Sequence, residues 1–483
     1  MNRELKRVSI VVMLMFVALL SSTSIVQAFQ ADNLSADPRN TRTLFDSYQI
    51  ERGAILVAGE PIAQSMPADD DFKFLRTYTN PELYAPITGY IPINGEPTGL
   101  EFALNAELTG NSNSQFFDKI GALVTGQDPK GAAVEVTIDP IAQQAAWDAL
   151  GDYTGSVVVT EPATGRILAM VSKPSFNPNL LTVHNNAEVT SSYDALLANE
   201  KDPLINRAIN SLNPPGSVFK LVVTTAALES GKYTPESTFP NPSVFTAPGT
   251  TSEIKNSSEG TCSAGETVTL ATALRLSCNI PFAELGLELG DTAIRETAEK
   301  FGFNSNYSIP MKVAESTYPR GLNDPQAAQS AFGQFDVRAT PLQMAMVSGA
   351  IANGGVVMAP NVVQKILAPN LSAIQTFEPV ELDRVMSKET AATLTAMMIN
   401  GVQDGAASNA RIDGVDVSGK TGTAQNGSTD PFTLWFTGFA PANDPQFAIT
   451  VLIEDGGGMG QTGFGNKLAA PVAKEVLEAV LNK

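Results

Sequence analysis

Thr433-Leu-Trp-Phe-Thr-Gly-Phe-Ala440 and Gln446-Phe-Ala-Ile-Thr-Val-Leu-Ile453 are two apolar runs separated by a short Pro/Asn/Asp turn. Their length and their β-branched and aromatic content read as two buried antiparallel strands, and a helical pattern over 468–481 follows them. A matching pair lies far upstream, in Gly155-Ser-Val-Val-Val-Thr-Glu-Pro-Ala-Thr-Gly-Arg-Ile-Leu-Ala-Met-Val171, a hairpin around Pro-Ala-Thr-Gly. Between these pairs the pattern is helical near 218–230, 266–290, 340–353 and 387–402. Thr340-Pro341 caps one of these helices and Gly354-Gly355 ends it. Hairpin, helices, hairpin and last helix predict an antiparallel sheet covered by helices, an α+β fold.

Working outward, residues 29 to about 140 carry short alternating runs: Arg52–Gly59, Asp71–Tyr78, Tyr84-Ala-Pro-Ile-Thr-Gly-Tyr90 and Ala132–Ile138. A polar tip over Thr109–Gln115 and a turn at Asp128-Pro-Lys-Gly131 interrupt them. This part is read as a β-rich pedestal over 29–145, with Asp139-Pro140 opening the next helix and the larger domain over 146–483. At the N-terminus, Arg3, Lys6 and Arg7 precede the run Val8–Leu20, and no charge follows until Asp32. Residues 8–28 read as a membrane span with 1–7 left in the cytoplasm, so that the remainder is exported. Val26-Gln27-Ala28 also fits a signal-peptide cleavage site, which exports the same residues.

The 483 residues carry 31 Lys+Arg against 50 Asp+Glu, a formal charge of −19, with no basic cluster beyond the first seven residues. That balance argues against a nucleic-acid partner. One histidine, His184, and two cysteines, Cys262 and Cys278, are too few for a zinc site, so no metal or cofactor is expected. His184 reads as a surface or turn residue. The cysteines, sixteen positions apart in an exported segment, are either bonded, worth up to about 3 kcal/mol, or two free thiols.

The remaining chemistry falls to hydroxyl, amine and amide groups. In Pro214-Pro-Gly-Ser217-Val-Phe-Lys220, a serine opens an apolar helix and a lysine follows one turn later on the same face. To serve as a base near neutral pH, that lysine must fall from about 10.4 to near 7, on the order of 4 kcal/mol. Burial and a second cation both push that way. Ser-x-x-Lys alone is weak, because Ser252-Glu-Ile-Lys255 matches it too, in a polar loop. Ser277-Cys278-Asn279 offers a proton relay and an amide holder, although Ser175-Phe-Asn177 and Ser211-Leu-Asn213 repeat the spacing. Ser418-Gly-Lys420-Thr421-Gly422-Thr423-Ala-Gln425 is the most specific: small residues around a lysine admit close backbone approach, and Lys420 supplies the second cation. Thr421 and Thr423 are candidates for holding a carboxylate.

Taken in order, Ser217/Lys220, Ser277/Asn279 and Lys420-Thr-Gly form the ordered triple of penicillin-recognising serine acyltransferases. Over its whole length the chain resembles the class B penicillin-binding proteins, most closely their short actinobacterial A type. Asp37-Pro-Arg-Asn40, Arg52-Gly53, Asn206-Arg-Ala208, Ala314-Glu-Ser-Thr317, Gly333-Gln334, Thr340-Pro-Leu-Gln343 and Ile351-Ala-Asn-Gly-Gly355 support it. The resemblance implies a β-lactamase/transpeptidase-like domain on a pedestal with one membrane helix, and D,D-transpeptidation of peptidoglycan stem peptides that releases the terminal D-Ala. It assigns Ser217 as nucleophile, Lys220 as base and Ser277 as proton shuttle. Asn279, Lys420, Thr421, Gly422 and Thr423 would bind substrate, with the backbone N–H groups of Ser217 and Thr423 as the oxyanion hole. β-Lactams would acylate Ser217. Expected partners are the membrane, a membrane-embedded glycosyltransferase and the elongation or division proteins, since the pedestal is too short to hold a polymerase. Rival readings are a D,D-carboxypeptidase, a silent scaffold or penicillin sensor, and a β-lactamase. Glu101-Phe-Ala-Leu-Asn105 matches a lactamase pattern, yet stands upstream of Ser217.

Overall fold

A computed structural model describes residues 2–29, 48–112, 115, 130–257 and 259–482. Asp37–Asn40, positions 113–114 of the polar tip and Asp128-Pro129 of the following turn lie outside the described residues. Helix α1 (Asn2–Phe29) contains a 22-residue span, Leu5–Val26, with mean hydropathy 2.3. At 1.5 Å per residue it is about 33 Å long, enough for a bilayer core.

Strands β1 (Ile55–Val57), β2 (Glu60–Pro67) and β3 (Phe74–Tyr78), helix α2 (Pro81–Thr88) and strand β4 (Ala133–Val136) follow. Then come α3 (Pro140–Leu150), β5 (Gly155–Thr160), β6 (Ile167–Lys173), α4 (Lys220–Glu229), α5 (Leu270–Arg275), α6 (Ile280–Lys300) and α7 (Pro341–Ala352). The chain closes with β7 (Val363–Leu367), β8 (Ala373–Thr376), α8 (Lys388–Asp404), β9 (Ser418–Ala424), β10 (Thr433–Ala440), β11 (Phe447–Ile453) and α9 (Gly465–Leu481).

The larger sheet has the order β9-β10-β11-β5-β6 and is antiparallel throughout, pairing Gly422 with Trp435, Thr437 with Thr450 and Val157 with Val171. Both of its faces are covered, which is why these strands read as continuous apolar runs. On one face α4, α6, α7 and α8 enclose Phe219, Phe282, Met344, Trp435 and Phe439. On the other, α3 and α9 enclose Ala146, Val159, Phe436, Val451 and Val476. The buried hydroxyls of Thr437 and Thr450, on adjacent strands, bond each other 2.7 Å apart, and Thr437 also reaches Ser348, so no penalty for an orphan hydroxyl is incurred there.

The smaller sheet has the order β8-β7-β4-β1-β2-β3. Two of its strands come from residues 363–376, so the pedestal is not a contiguous segment. The 145/146 boundary also needs correction: it falls inside α3, whose Ala142, Ala146 and Leu150 belong to the core of the larger sheet. Tyr84–Tyr90 is not a strand. Asn80-Pro81 starts α2 there, Gly89 (φ +65°) ends it, and two short helices over Gly99–Leu108 add to the helical content. The expected helix over 266–290 is likewise divided into a strand at Thr267–Thr269, α5, a turn and α6, which breaks at Gly290.

Glu101 locks the smaller domain. Fully buried, it accepts from Arg52 Nε at 2.5 Å and Arg76 Nε at 2.6 Å, while Arg52 Nη1 also donates to Asn105 at 2.7 Å. Burial pushes its carboxyl up, but Arg76 and Arg52 more than reverse this and hold it below the usual carboxylate range. The edge strand β3 is covered by residues 178–184 of the larger domain. Asn179 bonds both backbone groups of Tyr78, and Thr182 donates to Arg76 O. His184 is therefore no ordinary surface residue: its ring is 10% exposed, bonds Asp70 through Nδ1 at 2.5 Å and packs against Phe72 and Tyr48.

Candidate active site

Pro214–Lys220 forms a 3-10 turn, Gly216–Phe219, running directly into α4. Gly216 has φ +52°, and its N–H bonds Gly333 O at 2.9 Å, while Trp435 Nε1 donates to Pro214 O at 2.9 Å. β9 lies so close that a Cβ on Gly422 would sit 2.9 Å from Pro215 O, so glycine is the residue that admits the contact. Further back, Glu454 accepts from Arg207 (2.8 Å), Ser211 (2.7 Å) and Asn213 (3.3 Å), fixing the segment that leads into the turn. The Gln334 amide, oriented to satisfy both its atoms, pairs with the backbone of Gln425 beyond β9.

Ser217 is 7% exposed, and among the described residues its hydroxyl makes no hydrogen bond. Lys220 is fully buried beneath it. Its amine donates to Ser277 O (2.8 Å), Cys278 O (2.8 Å) and Asn279 Oδ1 (2.9 Å). Those carbonyls converge because Ser277 adopts φ +62°, a left-handed conformation that non-glycine residues avoid. The Cys262–Cys278 disulfide holds the same turn from outside, and Asn256 Oδ1 accepts from the Asn279 and Ile280 N–H groups. Lys420, 3% exposed, donates to Ser277 Oγ at 2.6 Å and to Thr421 O at 2.8 Å.

The structure therefore brings Ser217, Lys220, Ser277, Asn279 and Lys420 together behind one cleft of about 330 Å³. Among the described residues that line it there is no acid. Burial first, then the Lys420 charge, pushes the Lys220 amine well below its ordinary value, and burial pushes Lys420 down to about 7. Ser252 and Lys255 are exposed and remain outside the cluster, although Lys255 O accepts from Asn279 Nδ2 at 2.9 Å.

Two expected carboxylate binders separate here. Thr421 turns its hydroxyl onto Ala406 O at 2.7 Å, bracing the loop after α8, and its proton is committed there. Thr423 accepts from Gly465 N–H at 3.2 Å, which leaves its own proton available to the cleft. Sequence reasoning missed Trp435, Glu454 and Asn256 as supports. Only Glu454 carried a signal, an acid ending a strongly apolar strand. The lactamase-like Glu101 sits under two arginines in the smaller domain and does not line the cleft.

A helix-covered antiparallel sheet with this serine, two buried amines and an edge strand defines a penicillin-recognising serine acyltransferase. Residues 155–478 match the penicillin binding protein transpeptidase domain, and residues 52–134 match the penicillin binding protein A dimerisation domain. The chain is 41% identical to the peptidoglycan D,D-transpeptidase PbpA of Mycolicibacterium smegmatis, covering 100% of both chains. Its structure is similar to penicillin-binding protein A of M. tuberculosis in a ceftriaxone acyl-enzyme complex, with TM-score 0.87 and 38% identity over 90% of this chain and 100% of that one. The penicillin G acyl-enzyme complex of the same protein gives TM-score 0.85 at 38% identity, covering 89% of this chain and 100% of that one. The chain belongs to the class B penicillin-binding protein transpeptidases, in the group of penicillin-binding protein A.

Proposed function

We propose that the chain is a peptidoglycan D,D-transpeptidase that cross-links stem peptides through an acyl-enzyme on Ser217, and that β-lactams acylate the same oxygen. The single observation that carries the reading is the Lys220–Ser277–Lys420 cluster behind the cleft that Ser217 lines, with a Ser217 hydroxyl that makes no hydrogen bond among the described residues. Lys220, driven toward neutrality, takes the hydroxyl proton as Ser217 Oγ attacks the carbonyl of the penultimate D-Ala. The C–O bond forms, and the backbone N–H groups of Ser217 and Thr423 receive the charge on the carbonyl oxygen. As the C–N bond breaks, the Ser277 hydroxyl, which accepts from Lys420 while the Ser277 carbonyl accepts from Lys220, passes a proton to the departing D-Ala. An amine from a second stem peptide then attacks the ester carbonyl: the new C–N bond forms, the C–O bond to Ser217 breaks, and the proton the amine loses to Lys220 returns to Ser217 Oγ. Asn279 and Thr423 hold the donor strand beside the open edge of β9, with Lys420 setting the electrostatics and Gly422 admitting the close approach.

Glu101, the residue that matches a lactamase pattern, is held by Arg52 and Arg76 in the smaller domain away from the cleft, which favours this reading over a lactamase. α1 anchors the chain, with the basic residues Arg3, Lys6 and Arg7 on the cytoplasmic side and the catalytic domain outside. The glycan strands come from a membrane-embedded glycosyltransferase working with elongation or division proteins. The test is covalent labelling of the detergent-solubilised full chain by fluorescent penicillin. The adduct is expected on Ser217 and is lost in Ser217→Ala; labelling that persists there, or vanishes instead in Ser252→Ala, contradicts the assignment.

A further inference from the structure

The cleft has two walls. Ser217, Ser257, Leu276 and Ser277 form one, and Asn409 with Phe464–Lys467 the other, while Thr421–Thr423 lie between them. The motifs account for the first wall and the edge strand but not for the second. That wall is built to stay in place. Asn409 and Asn466 bond each other's backbone, at 3.0 and 2.9 Å, and Gly465 abuts Gly422 and Trp435 so closely that a Cβ would lie 2.4 Å from Gly422 O. On it stand Phe464, 48% exposed, and Lys467, which is exposed.

Charge sets this wall apart. Lys220 and Lys420 are buried and their amines are spent on backbone, Ser277 and Asn279, so neither offers a solvent-facing ammonium to an incoming strand. Lys467 lines the same cleft, and its ammonium makes no ion pair or hydrogen bond among the described residues. In a chain of net charge −19, an unpaired cation on an acid-free cleft wall creates a local field for an anion. The exposed Phe464 three residues earlier gives an apolar surface beside it, which suits an aliphatic chain ending in a charge.

We propose that Lys467 is a specificity-determining residue that binds a stem-peptide carboxylate other than that of the departing D-Ala, with Phe464 receiving the aliphatic part. This rests on the transpeptidase reading above. The carboxylate belongs either to the acyl donor or to the acceptor strand, and the same chemistry recognises both.

Two arms of one experiment separate these sources. In the donor arm, D-Ala release is measured from two synthetic acyl-D-Ala-D-Ala peptides whose leading residue ends in a carboxylate or the matching carboxamide. In the acceptor arm, transfer to an amine peptide bearing the carboxylate or the carboxamide is measured with one fixed donor. Lys467→Ala is expected to lower kcat/KM about tenfold for the carboxylate member in one arm and to leave its carboxamide partner within twofold. Lys467→Glu inverts the preference and Lys467→Arg retains it. Equal losses for both members, or no loss in either arm, overturn the proposal. A parent chain that penicillin does not label at Ser217 contradicts the acyl-enzyme reading instead, so the two failures are told apart.

Discussion

The molecule buries charge in two places and treats it in opposite ways. In the smaller domain Glu101 is sandwiched between Arg52 and Arg76 at 2.5 and 2.6 Å, so the buried charges compensate one another. In the larger domain Lys220 and Lys420 are buried with carbonyl, amide and hydroxyl acceptors around them, and no acid among their bonded partners. The first arrangement is held ionised and fixes structure. The second is pushed toward the neutral amine and costs stability, which marks a site of chemistry. Their pH linkage nevertheless has the same sign, since each of these groups binds fewer protons folded than unfolded and stability rises with pH in both places. Glu101, with its folded value below the unfolded one, contributes stability that is present above the unfolded value and lost as pH falls through the folded one. The lysines, whose folded values are also lowered, bind fewer protons folded than unfolded. Their cost is fully present below the folded value of about 7 for Lys420 and is relieved as pH rises toward the unfolded one.

The contrast can be broken most severely at Lys220. Lys220→Met should lower the rate of penicillin acylation by at least about a thousandfold, measured by stopped-flow or gel labelling, with the fold intact. Lys220→Arg should not rescue it, because a guanidinium stays protonated. A smaller loss, about a hundredfold, is expected for Lys420→Met, and in the same variant the thermal midpoint should rise, as removal of an uncompensated buried cation stabilises by about 1 to 3 kcal/mol. Glu101→Ala should do the reverse. It leaves two buried guanidiniums unpaired and costs about 3 to 5 kcal/mol by denaturant unfolding, while protein still folded keeps its penicillin reactivity. Trp435→Phe, which removes the bond to Pro214 O, should give the smallest effect, about 1 kcal/mol in stability with a modest loss of acylation rate.

How much of this was legible follows the range of the interactions. Ser217, Lys220, Ser277, Asn279 and Lys420 stand in short motifs whose residue types state their chemistry, and the apolar strands 433–440 and 446–453 coincide with β10 and β11 to within one residue. The smaller domain was harder. Tyr84–Tyr90 has strand-like composition, but Asn80-Pro81 starts a helix, a local cue outweighed by aromatic and β-branched content. Residues 363–376 join a sheet begun about 300 positions earlier, and no periodicity encodes that pairing. Thr421 and Thr423 look alike in sequence; only the loop ending at Ala406 and the start of α9 at Gly465 decide which hydroxyl faces the cleft. Glu101 matched a catalytic pattern by spacing alone, and its arginine partners lie 49 and 25 positions away.

The most direct test of the two buried amines is the second-order rate constant of penicillin acylation followed from pH 5 to 9. The rate should rise with pH across the neutral range, and in Lys420→Met the rise should move to higher pH, since the like charge that lowers Lys220 is gone. A profile with no rise until the range of an ordinary lysine, or one that Lys420→Met leaves in place, would contradict the account.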